Sequence, residues 1–269
     1  MTDLIERGDA ERVLTDSRFA VPEADAAATR PMGRFRASSS RFTNGPAHDR
    51  RRRRLETLLH TIDTSALAAD ASSRARWSAA SGVDAAEIAR HVPVACLAGA
   101  LGIAAPDDAP RLVADVAASY ASGAESDRAD AAIDRLLAAA APATGDGDGE
   151  SGGAGSDEDA VLLVQLLVQA YAATAALVEG AIRSTGAVAA SITTAELLAD
   201  TLRDDPPVRL TRRVAPDGEM LTLRLDGPDR ESGAGRPLRT LAFGAGARAC
   251  PAPDLALAMA AAIIEELRA

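Results

Sequence analysis

The apolar positions of this chain fall mostly at helical spacing. Leu55, Leu58, Leu59 and Ile62 recur every three or four residues, which predicts a helix from Arg50 to Ile62. The same pattern predicts helices at about 65–80, 84–102, 108–122 and 126–141. Asp84 and Asp107 occupy expected N-cap positions, and Gly102 and Pro106 break the chain between two of these segments. Residues 1–20 read as a polar helix entering an extended stretch. Residues 21–46 read as irregular, punctuated by Pro22, Pro31, Gly33, Gly45 and Pro46. The run from Ala160 to Ile182 is apolar almost all round, the mark of a central core helix. A short helix at about 194–203 is ended by Asp204-Asp205-Pro206-Pro207. From Val208 to Leu225 the period drops to two around Pro216-Asp217-Gly218, which predicts a β-hairpin. A last helix is expected from Asp254 to Leu267. The pattern is mainly α with a small β portion, without a repeat, in one domain over residues 1–269.

Composition narrows the class. The chain of 269 residues is 47% hydrophobic, too apolar for a disordered protein. Two cysteines, Cys96 and Cys250, are too few for a disulfide scaffold. No apolar run long enough to span a bilayer escapes polar interruption, and the first residues lack the pattern of a signal peptide. The expectation is a cytoplasmic protein with no membrane partner. A net charge of −10 argues against nucleic-acid binding. All 29 basic residues of the lysine/arginine type are arginines. The charge is uneven: Arg50–Arg54 crowd one predicted helix, while the segment Thr144–Asp159 is acidic and almost free of apolar residues. That segment, residues 144–159, reads as a flexible acidic loop. His91 and Cys96 are five apart on a predicted helix and read as core residues rather than metal ligands.

The sharpest local signal is Phe243-Gly244-Ala245-Gly246-Ala247-Arg248-Ala249-Cys250-Pro251-Ala252. It is a glycine-containing loop that places a cysteine just before a helix. Backbone N–H groups at a helix start and the nearby Arg248 are expected to favour the anionic sulfur. The segment resembles the cysteine-ligand loop of the cytochrome P450 family, matched at Phe243, Gly244, Gly246, Arg248, Cys250, Pro251 and Ala252. The resemblance implies that the Cys250 thiolate is the axial ligand of a haem b iron. It also implies that the glycines let the loop bend under the porphyrin and that Arg248 meets a haem propionate.

Three further segments carry the resemblance in the family's order. Gly45-Pro46-Ala47-His48-Asp49-Arg50 onward is similar to the helix that crosses a haem edge, with His48 and Arg52 four apart on one face and able to reach one propionate. Arginines there would also suit docking of an acidic electron donor. Asp200-Thr201-Leu202-Arg203 and the following strand resemble the family's Glu-x-x-Arg helix and its propionate-binding arginine, here Arg213. Asp200 and Arg203 form the expected structural pair, with Arg230 or Arg236 as its third member. The apolar helix resembles the long helix over the distal haem face and keeps Thr174 of the oxygen-activation motif as a catalytic residue. The motif's glycine is Tyr171 and its acid is Ala173. The chain is also short for the family, so the expected fold is a truncated P450-like helical fold.

The function the resemblance implies is oxidation of a small molecule, as a monooxygenase or peroxygenase. The setting would be a tailoring step of bacterial secondary metabolism, with electrons from a ferredoxin- or flavodoxin-type partner. The alternative is a P450-like haem protein acting as activator or scaffold of a partner enzyme, or as a haem sensor.

Overall fold

The computed structural model describes residues 3–5, 7–141, 154–184, 192–226 and 240–269. Among them are ten α-helices: α1 (Arg7–Thr15), α2 (Pro31–Ser38), α3 (Gly45–Leu59), α4 (Thr64–Ala80), α5 (Ala85–Ala100), α6 (Ala109–Ser122), α7 (Asp127–Ala140), α8 (Ala154–Arg183), α9 (Thr194–Asp204) and α10 (Pro253–Arg268). Three strands complete the fold: β1 (Asp3–Ile5), β2 (Leu210–Val214) and β3 (Met220–Arg224).

Helix starts follow local chemistry. Asp63 caps α4 through the N–H groups of Ser65 and Ala66, and Asp84 caps α5 through Glu87 N–H. Thr193 and Glu196 close a reciprocal capping box at α9. Asp107 does not cap α6. It lies in a short 3-10 turn, Pro106–Asp108, and pairs with Arg74 instead. Residues 31–38, expected to be irregular, form α2 because Pro31 stands in the first turn, where its missing N–H costs nothing. Asp130 of α7, itself buried, fixes that start by accepting Met32 N–H at 2.8 Å and Arg30 Nε at 2.6 Å.

Helix α8 is the axis of the main core. Leu162, Val164, Leu167, Val168, Leu177 and Val178 are buried. Each such side chain contributes about 1.5–3 kcal/mol, which is what holds this long helix in place. It packs on α3, α5, α6, α7, α9 and α10. The stretch Asp157–Arg183 is long and apolar enough by length and composition to cross a membrane, and here more than half of its apolar window is buried in the protein. The helix also starts earlier than expected. Residues 154–159 belong to it, and Glu158 and Asp159 pair with Arg50, Arg51 and Arg54 of α3. The rest of the expected acidic loop, 144–153, lies outside the described residues, as do Arg230 and Arg236.

The sheet has the order β1-β3-β2, with β3 parallel to β1 and antiparallel to β2. Gly218 at φ +90° makes the turn of the expected hairpin. A small second core joins this sheet to α1 through Ala10, Val13, Leu14, Leu221, Leu223 and Leu225.

Candidate functional site

The cysteine loop lies between the two cores. Leu241 and Ala245 pack in the small core, while Ala242, Phe243 and Ala252 pack on the main one. Two glycines allow the path. Gly244 has φ +71° and Gly246 φ +67°. A Cβ on Gly246 would stand 2.7 Å from the Leu14 carbonyl oxygen, so this glycine is required by close approach to the end of α1. Cys250 N–H donates to the Phe243 carbonyl at 2.7 Å and closes the loop.

Helix α3 and the loop hold each other by reciprocal arginines. Arg52 Nη1 donates to the Ala249 carbonyl at 2.5 Å, and its Nε pairs with Glu56 at 2.7 Å. In return Arg248 Nη2 donates to the Thr43 carbonyl at 2.7 Å and to Asn44 Oδ1 at 2.9 Å. Asn44 was not singled out in the sequence. It stands at the N-cap position of α3, yet its side chain serves Arg248, Val21 and Glu23. An asparagine just ahead of Gly45-Pro46 is the one signal that could have marked it.

Cys250 is a half-buried free thiol. Burial pushes its pKa up, against the lowering effects of Ala252 N–H, 3.5 Å from the sulfur, and of Arg52. The helix start does favour the thiolate, as expected, but Arg248 does not act on the sulfur and the net shift is upward. Desolvation wins, and Arg248 points to Thr43 and Asn44 rather than to the sulfur.

Arg213 is buried on β2 and hydrogen-bonds to the Arg212 carbonyl at 2.8 Å. Burial, then Arg248 and Arg41, pull its pKa down to about 10. Burial likewise lowers that of Arg248. Neither has an ion-pair partner among the described residues. His48 is buried, 3.1 Å from Asp49 through Nδ1, and burial lowers its pKa with help from Arg248 and Arg52. His48, Arg52, Arg213 and Arg248 thus share one positive field, of which Arg52 reaches Cys250.

The remaining expected residues stand apart from this cluster. Thr174 is buried on α8 and makes no hydrogen bond to any of its members. Asp200 and Arg203 pair at 2.6 Å on an exposed face, and Arg203 also takes Asp204. Cys96 is buried as expected, and its pKa is raised by burial and by Asp70. His91 is not a core residue. It is exposed and 3.7 Å from Glu87, on the outer side of α5 between the buried positions Ala89 and Val92.

The donors fit a haem in kind. A soft sulfur ligand lies in a loop whose neighbours Arg213 and Arg248 make no ion pair among the described residues, as two propionates would require. Arg52 departs from its expected role, being already committed to the loop and to Glu56.

No family model matches the chain, and no curated protein does. Solved structures do. A P450BioI structure in complex with hexadec-9Z-enoic acid ligated acyl carrier protein aligns at a TM-score of 0.71 and 17% identity, covering 97% of this chain and 82% of that one. Ligand-free Mycobacterium smegmatis CYP164A2 aligns at 0.68 and 20%, covering 97% and 82%. Cytochrome P450 CREJ in complex with (4-ethylphenyl) dihydrogen phosphate aligns at 0.74 and 17%, covering 99% and 83%. The chain has a cytochrome P450-like fold.

Proposed function

We propose that this chain is a haem-thiolate protein that oxidises a small organic molecule, with Cys250 as axial ligand of a haem b iron. The observation that carries the reading is a half-buried free thiol in a P450-like fold, two residues from Arg248 and in a loop whose arginine field includes the buried Arg213, neither arginine making an ion pair among the described residues. A buried cation without a partner is costly, and two propionates would supply the missing charge. When bound, the haem iron supplies redox chemistry with dioxygen or peroxide, and thiolate ligation favours O–O cleavage.

The chain's own residues divide the remaining work. Burial favours the neutral Cys250 thiol, and an iron held there would supply the charge that favours the thiolate. Arg52 holds the Ala249 carbonyl and so sets the direction of the following sulfur. Arg213, Arg248 and His48 receive the anionic edge. Phe243 and Gly246 shape the loop. Thr174 offers a hydroxyl on α8, but Ala173 has no proton to pass on, so protons come from water or from the substrate. The arginines of α3 suit a ferredoxin- or flavodoxin-type donor, with Arg53 exposed while Glu158, Asp159 and Glu56 neutralise its neighbours. The setting proposed is a cytoplasmic tailoring step in bacterial secondary metabolism.

The test is the absorbance spectrum of the reduced, carbon monoxide-bound protein after haem reconstitution. The red-shifted Soret band of thiolate ligation is expected in the wild type and in Cys96→Ala, and its loss in Cys250→Ala. Failure of the wild type to take up haem overturns the reading. The missing acid at Ala173 favours a second reading, a haem sensor or a partner-enzyme activator or scaffold. It is supported if the thiolate band forms but neither dioxygen nor peroxide drives turnover.

A further inference from the structure

A second group of cations lies near the far end of this positive field. Arg36 is in the last turn of α2, and Arg41 is in the 3-10 turn Ser40–Phe42 that follows. Their guanidinium carbons lie 4.3 and 5.6 Å from the centroid of one ring, that of Phe42. Phe42 meets the Tyr120 ring at 5.1 Å, and Tyr120 meets Phe35 at 5.6 Å. Neither guanidinium makes a hydrogen bond or ion pair with any described residue. Arg36 Nε is buried with no hydrogen-bond partner. Most arginines nearby differ: Arg30 takes Asp127 and Asp130, Arg34 takes the Thr29 carbonyl, and Arg51 takes Thr43 and Glu158.

Two like charges share one ring and no acid, and Arg41 adds to the burial that lowers the Arg36 pKa. The ring holds a guanidinium by its face and leaves the N–H edge free for a planar oxyanion. The support is rigid. Tyr120 is buried and its hydroxyl accepts Gln169 Nε2–H at 3.0 Å. Gln165 is tied to Ser40 twice, at 2.7 Å each. Asp130 fixes the start of α2. Arg41 is exposed, which gives a ligand access. The backbone that carries the two arginines and the ring between them are thus fixed before anything binds, which lowers the cost of binding.

We infer that Arg36 and Arg41 form an oxyanion subsite for a small organic ligand. It takes a carboxylate or phosphate group at the two guanidiniums, and Phe42 forms an apolar wall for the attached carbon skeleton. Only the identification of that ligand as the oxidised substrate rests on the proposed function; the binding does not.

The test is calorimetric titration of the purified full chain with benzoate, phenyl phosphate, inorganic phosphate and uncharged benzyl alcohol. Benzoate and phenyl phosphate separate the two anion types. At least one is expected to bind about tenfold or more tighter than benzyl alcohol and than inorganic phosphate. Arg36→Gln and Arg41→Gln are each expected to weaken that binding about tenfold, with circular dichroism melting curves confirming folded variants. Arg36→Lys keeps the charge without the fork and is expected to fall between wild type and Arg36→Gln. Cys250→Ala is expected to bind as the wild type does. Equal binding of benzyl alcohol, absence of anion binding, or full affinity in Arg36→Gln overturns the inference. Anion binding in a protein that takes up no haem would leave the subsite standing while the haem reading falls. A thiolate spectrum without anion binding would do the reverse.

Discussion

The cysteine loop and the middle of α8 face the same task in the P450-like reading, and they differ in what they keep. The loop has its cysteine, both glycines at positive φ, and arginines that hold it from two sides. The middle of α8 keeps Thr174 but has Tyr171 and Ala173 where the resemblance puts a glycine and an acid. The first region is equipped to hold a cofactor. The second lacks the group that would relay protons to its face. On the proposed function, holding a cofactor and using it are therefore separable, and each can be changed without the other.

The strongest way to break the comparison is to restore the acid. Ala173 is half-buried, so a carboxylate there keeps access to water. Ala173→Asp is expected to raise dioxygen-supported turnover by about 10² and to leave peroxide-supported turnover unchanged, as steady-state rates with each oxidant would show. An unchanged dioxygen rate would mean that the second region is not limited by protons. Next is the unpaired cation of the first region. Without cofactor, Arg213→Met is expected to stabilise the protein by about 1–3 kcal/mol in urea unfolding, because it removes a buried charge without a partner. The same variant should bind haem more weakly by at least about tenfold, read by titration of the Soret band. A loss of stability instead would show that the charge is already compensated.

The loop clamp is expected to matter less. Arg52→Met removes the donor to the Ala249 carbonyl and should cost about 1–2 kcal/mol, with faster amide exchange confined to the loop. The smallest effect is the titration of His48. Its folded pKa lies below the ordinary value of about 6.5, so between the two the unfolded chain binds more protons. Stability is therefore lost as pH falls through that window. In His48→Gln, thermal melts between about pH 7 and 5 should show a shallower decline than in the wild type.

The sequence carries the helical frame well where apolar periodicity and a cap agree, as in α4 with Asp63 and α5 with Asp84. It misleads where one residue has two uses. Pro31 reads as a break but opens α2, and Gly45 and Pro46 open α3. Strand β1 is only three residues long and is set by its partner β3, more than two hundred residues away, so no local pattern reveals it. The site divides in the same way. Cys250 and its arginines are visible as types at fixed spacing. What each arginine holds depends on tertiary contacts, so neither the diversion of Arg52 to Ala249 nor the burial of Arg213 beside other arginines could be read from the string of residues.

The reciprocal clamp also has a meaning in time. Arg52 and Ala249 are 197 residues apart, and Thr43 and Arg248 are 205 apart. At ordinary rates of synthesis, the second half of the clamp leaves the ribosome about 10–40 s after the first. Through that interval α3 exists with its arginine and its terminal acceptors facing water. The thiol then arrives together with Arg248 and the Ala249 carbonyl, when the α3 half of its support is already made, so the nascent chain has no stage at which the cysteine is present and its clamp partners are still to come.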